Sequence, residues 1–217
     1  MFCGQIPLKF SEIRRMKGHW DERYAKTEGA YGTKPIPFWV QELSLCKGHN
    51  VLLPCEGEGR NALWAAQQGW KVHAVDSSVV GMATCDRWCK AAGVEDHVQT
   101  HVEDALTFQG DSAGYDVVGL FYAHMPAPLR RPFHQKAISW LKPGGKLILE
   151  GFSIDQLGLT SGGPKKSEML FQMEQLKSDF NELVIERIAP KQTHLDEGPF
   201  HQGKAEIIQL VGTVPVL

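Results

Sequence analysis

The stretch VLLPCEGEGRNALWAAQQGWKVHAVDSS, Val51 to Ser78, decides the fold. Its apolar opening, Val51–Cys55, reads as a short buried strand. A turn follows with Gly57 and Gly59, and Ala62 holds the third small position. Residues 60–68 carry a helical pattern closed by Gly69. A second apolar run, Lys71–Asp76, then ends on a carboxylate. Strand, glycine turn, helix and strand make the first half of a nucleotide-binding unit. Small residues in such a turn let the backbone approach a ligand, and the helix behind them aims its amides at it.

Outward from this unit the alternation continues. Residues 79–92 are helical up to Gly93, 97–102 read as a strand, 115–121 as another, and 128–141 as a helix. LKPGGKLILEGF (141–152) turns the chain into a further strand. Residues 161–180 read as a loop and an amphipathic helix. The last part holds two strand-like runs joined by a long polar loop, a pattern that predicts an antiparallel hairpin at a sheet edge. The β-α-β-α order predicts an α/β, doubly wound, mostly parallel sheet with helices on both faces. A dinucleotide dehydrogenase would need a second βαβαβ half. On the amino-terminal side, residues 16–45 read as helix, loop and helix, and residues 1–15 as a loose tail.

The 217 residues are 42% hydrophobic with a formal net charge of -2. No basic tract is present, which disfavours nucleic acid, since that partner is bound largely by neutralising phosphates. No apolar stretch nears the ~20 residues of a membrane span, and the first twenty residues lack a secretory pattern. Five cysteines without framework spacing fit a cytoplasmic, reduced protein. Cys85 and Cys89, four apart on one helical face, read as small buried thiols, and no metal site is expected.

Asp76, at the end of the second strand, is placed to accept from ribose hydroxyls. Asp104, just after the third, can accept from an adenine amine. Glu56 and Glu58 stand inside the turn, where they would repel a pyrophosphate. A cofactor with a cationic amino-acid end fits better, and S-adenosylmethionine carries an ammonium and a sulfonium and no phosphate.

With these residues in view, the chain resembles the class I S-adenosylmethionine-dependent methyltransferases over roughly residues 20–213. The resemblance rests on the opening stretch, on VEDA (102–105), on YDVVGLFYAHMP (115–126) and on LKPGGKLILEGF. EGRNALWAAQQGWKVHAVDSS (58–78) and WDERYAKTEGAYGTKP (20–35) are similar to the tellurite-resistance methyltransferase group and, more distantly, to the thiopurine methyltransferases. The resemblance implies a Rossmann-like methyltransferase fold, a seven-stranded sheet with the last strand antiparallel. It implies one domain over 16–217, with lid helices at 16–45, a cofactor-binding core at 51–152 and a helix and hairpin at 153–217. It also implies a methionine-side loop of Glu56, Gly57, Glu58, Gly59 and Asn61, a ribose contact at Asp76 with Ser77 beside it, and an adenine-edge pair, Asp104 and Ala105. Phe121 and Tyr122 would lie under the cofactor, with Trp20, Tyr24, Tyr31 and Gly32 in a cover over it. Leu53, Pro54 and Cys55 stand where many members read Asp-x-Gly, so Glu56 is expected to take over the ammonium contact.

Methyl transfer from a sulfonium is an in-line displacement with a good leaving group. Positioning alone can supply about 7–11 kcal/mol. Soft acceptors (thiolate, selenide, tellurium oxyanions) need no base, whereas a hydroxyl acceptor benefits from one. The candidate catalytic residues are His124, just past the fourth strand, and His201 in HLDEGPFHQGKA (194–205), a polar segment with Asp196, Glu197 and Lys204 that reads as a substrate-side loop. Arg130 and Arg131 read as helix surface. The expected partner is a small-molecule methyl acceptor, with the protein a monomer or homodimer. Two other readings stay open: a nicotinamide-dependent reductase using the same turn, and a non-catalytic cofactor-binding module.

Overall fold

In the computed structural model, which describes residues 10–216, β1 (Asn50–Pro54), β2 (Lys71–Asp76), β3 (Val98–Val102), β4 (Tyr115–Phe121), β5 (Leu141–Phe152), β6 (Val184–Asp196) and β7 (Gln202–Thr213) form one sheet. Their order is β3-β2-β1-β4-β5-β7-β6. β1, β2, β3, β4 and β5 pair in parallel, and β7 runs antiparallel between β5 and β6. This is the predicted seven-stranded doubly wound sheet with its last strand reversed.

The central strands β1 and β4 are apolar on both faces because helices cover both. Val51 and Leu53 of β1 point to one side, packing with α2 (Pro37–Leu43), α3 (Arg60–Gln67) and α4 (Val79–Ala91) through Trp39, Ala62, Ala65 and Met82. Leu52 points to the other, against Phe133 and Ala137 of α5 (Ala127–Ser139) and Leu176 of α6 (Met173–Asp179). Burying a large aliphatic or aromatic side chain contributes roughly 1.5–3 kcal/mol, so a strand buried on both faces is read as a continuous apolar run.

Three boundaries differ from the sequence reading. The helix α1 spans Phe10–Lys26 and so takes in residues 10–15 of the expected tail, while residues 1–9 lie outside the described part. The KPGG turn is absorbed into the start of β5, with Gly144 at φ 76° and its N–H donating to the Val214 carbonyl. The long polar loop between the last strands shrinks to residues 197–201, because β6 and β7 stay paired out to Asp196 and Gln202. Leu195, Ala205 and Ile207 explain this. They alternate with the polar residues and are buried against Phe152 and Leu170.

Candidate functional site

The strand order reverses between β1 and β4, so their carboxyl ends flank a crevice. The backbone is strained at both lips. Cys55 (φ 61°) follows β1 and Tyr122 (φ 52°) follows β4, two of three non-glycine residues with positive φ among those described. Such conformations cost of order 1–3 kcal/mol each and cluster at functional sites.

Gly57 and Gly59 sit at φ 67° and 87°. Both are also required by the chain's own packing. A Cβ on Gly57 would lie 2.5 Å from the Tyr24 hydroxyl, and one on Gly59 would lie 2.2 Å from Cys85 Sγ. Cys85 and Cys89 are buried thiols, as expected.

Asp76, at the end of β2, accepts from the Gly57 N–H (2.9 Å) and the Ser78 N–H (2.8 Å). It thus fixes the bend from below, and burial raises its pKa to about 6. Glu56 caps the start of α3, taking the N–H groups of Asn61 and Ala62 at 2.8 Å and Asn61 Nδ2 at 3.3 Å. Burial raises its pKa to about 7. Glu58 accepts from the Gly29 and Ala30 amides at 2.8 Å, tying the bend to the loop after α1. Backbone amides engage the carboxylates of Glu56 and Glu58 as they do that of Asp76, so an ammonium contact of Glu56 would add to these bonds. Asn61 is used similarly, with Oδ1 accepting from Ile36 N–H. The bend stays acidic. Its one cation, Arg60, turns away to Glu197 Oε2 (2.9 Å) and the Tyr31 carbonyl (2.7 Å), so no cation of the bend faces a phosphate.

An aromatic cover lies over the bend. Trp20 stacks on Tyr24 (5.9 Å between centroids), and Tyr24 meets Tyr31 edge-on at 6.5 Å. Tyr31 in turn packs on His201 (4.5 Å), which packs on Tyr122 (4.6 Å) and Phe152 (5.1 Å). The cover and the hairpin touch backbone to backbone, since a Cβ on Gly198 would fall 2.3 Å from Gly32 N. Ser77 and Asp104 lie at the ends of β2 and β3. Asp104 Oδ1 accepts from Leu106 N–H, and Ala105 is buried. Phe121 is buried edge-on against Trp39 at 5.2 Å.

The two candidate histidines part company. His124 has no nitrogen to spare. Its Nδ1–H donates to the Met169 carbonyl at 2.8 Å, and its Nε2 accepts from the Phe152 N–H at 3.0 Å. Burial holds its pKa down at about 4. The expectation of a base at His124 is corrected to a pin between β5 and the loop before α6. His201 pairs through Nδ1 with Glu197 Oε2 at 3.3 Å and stays inside the aromatic cluster, with burial lowering its pKa. Arg130 is not plain helix surface either. It donates to the buried Asp179 (2.8 Å), which also holds His134.

Sequence reasoning missed Arg60 and Glu150. Glu150 lies near the end of β5, 4% exposed, on the floor of a cleft of ≈ 430 Å³ between the cover loop and the hairpin. Arg60 and Glu197 belong to the wall of this cleft, so it adjoins the bend.

Residues 51–145 match the family model described as a methyltransferase domain. No curated protein sequence matches the chain. Among solved structures, one concerned with converting a disulfide bond into a thioacetal group during echinomycin biosynthesis is 18% identical, with 92% of both chains covered and a TM-score of 0.72. TehB of Haemophilus influenzae is 13% identical over 90% of this chain and 67% of its own, TM-score 0.69. An S-adenosylmethionine-dependent methyltransferase of Methanosarcina mazei is 16% identical over 85% and 100%, TM-score 0.67. Residues 51–145 thus match a methyltransferase domain, and the chain shares the fold of these structures. Among the described residues no helix is long and apolar enough to cross a membrane.

Proposed function

We propose that the chain transfers a methyl group from S-adenosylmethionine to a small-molecule acceptor with a soft sulfur or chalcogen nucleophile. The observation that carries the cofactor side is Asp76 fixed under the Gly57 amide at the switch point, beside an acidic bend whose single arginine is turned away. Asp76 would accept from the ribose hydroxyls and Asp104 from the adenine amine. Bound there, S-adenosylmethionine supplies an electrophilic methyl on a sulfonium. Trp20, Tyr24, Tyr31 and Tyr122 would steady that positive charge by cation–π attraction and exclude water. His201 would stand on the acceptor side.

The soft-acceptor reading is supported by His124, whose engaged nitrogens leave no free base at the end of β4. It agrees with the sulfur chemistry named for one structural neighbour and with the likeness to TehB. A nicotinamide-dependent reductase is disfavoured by the sheet, which ends in an antiparallel hairpin in place of a second βαβαβ half. The test is a thermal-shift panel with a methyl-transfer assay on thiols and tellurite. Stabilisation by S-adenosylhomocysteine but not NADH, with turnover, is expected. Stabilisation by NADH alone overturns the reading, and binding without turnover on any acceptor reduces it to a cofactor-binding module.

A further inference from the structure

Among the described residues six carboxylates are buried, and five are compensated within the fold. Glu42 and Asp179 pair with arginines. Glu56, Glu58 and Asp76 accept from backbone amides. The sixth, Glu150, has only neutral donors, the Tyr122 hydroxyl at 3.3 Å and Gln209 Nε2 at 2.6 Å. Among the described residues no lysine, arginine or histidine lies within ion-pair distance of it, and no backbone amide reaches it. A desolvated carboxylate with no contacting cation is costly, and Lys191 on the cleft wall offsets this only through space. It persists here on the floor of an open cleft of ≈ 430 Å³, within the ordinary size range of small-molecule sites. The walls are mixed. Phe38 and Ile207 are apolar, while Lys191 and Glu197 are charged. Glu197 is paired with Arg60, whereas Glu150 has no such partner. Tyr122, which donates to Glu150, is the strained residue at the lip of β4. The cleft therefore opens beside the crevice assigned to the cofactor.

We propose that this cleft takes a methyl acceptor bearing a protonated amine, and that Glu150 selects it by a charge-assisted hydrogen bond. The assignment of that ligand as methyl acceptor rests on the methyltransferase reading, whereas the recognition of an ammonium group does not. Once seated, the ammonium would replace the missing ion-pair partner, and the nucleophilic end of the molecule would be left toward Tyr122 and the cover.

A matched pair of probes tests this, 2-aminoethanethiol against 2-mercaptoethanol, which differ by an ammonium and a hydroxyl. Their binding is titrated at pH 8 by ligand-detected NMR, on the protein alone and loaded with S-adenosylhomocysteine, for the native chain and Glu150→Gln. The amine is expected to bind at least tenfold tighter to the native protein, and the preference to fall to near unity in Glu150→Gln. The amide retains the size and can accept from Gln209 Nε2 while its NH2 donates to the Tyr122 oxygen, and an unchanged S-adenosylhomocysteine affinity reports that the variant is folded. Equal binding of the two probes, no saturable binding of either, or an amine preference that survives in Glu150→Gln overturns the proposal. Failure of S-adenosylhomocysteine to bind counts against the cofactor assignment, while the amine preference is still decided on the protein alone.

Discussion

On the β1–β2 side of the crevice, buried carboxylates are held by backbone amides within 29 positions: Glu56 by residues five and six positions on, Asp76 by Gly57 nineteen positions back and by Ser78, and Glu58 by Gly29 and Ala30. On the β5–β7 side the ties are distant. Arg60 reaches Glu197 across 137 positions, Arg187 reaches Glu42 across 145, and Gln209 reaches Glu150 across 59. The first side is rigid local geometry suited to a fixed cofactor. The second is a surface assembled from five separate segments. Under the proposed function, that difference would put specificity on the hairpin side and the cofactor on the other.

The sharpest way to break the local side is Gly59→Ala. It adds a Cβ 2.2 Å from Cys85 Sγ at φ 87°. Overpacking and left-handed strain together predict a loss of about 4 kcal/mol, read as a lowered urea midpoint. A loss under about 1 kcal/mol would show that α4 yields and that the bend is not rigid. On the distant side, Arg60→Met leaves the Glu197 carboxylate with the His201 contact but no arginine and is expected to cost about 3 kcal/mol. Much of this should return in the double variant with Glu197→Gln. The acceptor KM should rise more than the S-adenosylhomocysteine Kd, and the reverse order would erase the distinction between the two sides.

A smaller effect follows from titration. Burial raises the Glu150 pKa from 4.5 to about 7. A carboxyl raised in the folded state contributes stability that is fully present below pH 4.5 and lost as pH rises through 7. Glu150→Gln lacks that dependence. Relative to the native chain it should be more stable at pH 8 than at pH 5, by roughly 1–2 kcal/mol in paired urea melts. No difference between the two pH values would mean that Glu150 is better solvated than the cleft implies.

The split between near and far contacts also explains what could be read in advance. The bend, Asp76, the parallel order and the reversed last strand were legible because each rests on local spacing or period-two and period-3.6 patterning. The hairpin was read only in outline. Leu195 and Ala205 are isolated apolar residues among polar ones, and their burial depends on Phe152 and Leu170 from elsewhere. His124 looked like a site residue because it follows β4, but its partners, Met169 and Phe152, are 45 and 28 positions away. Glu150 carried no signal, since a single carboxylate in an apolar strand becomes notable only once the cleft beside it is formed. The acidic bend favoured a cationic cofactor on charge, yet backbone amides engage both of its carboxylates.

Isothermal titration of S-adenosylhomocysteine into the native chain and Asp76→Asn, with NADH as competitor, is the most direct test of the cofactor assignment. Saturable binding to the native chain is expected, weakened at least tenfold in Asp76→Asn and indifferent to NADH. Equal affinity in both proteins, or displacement by NADH, would contradict it.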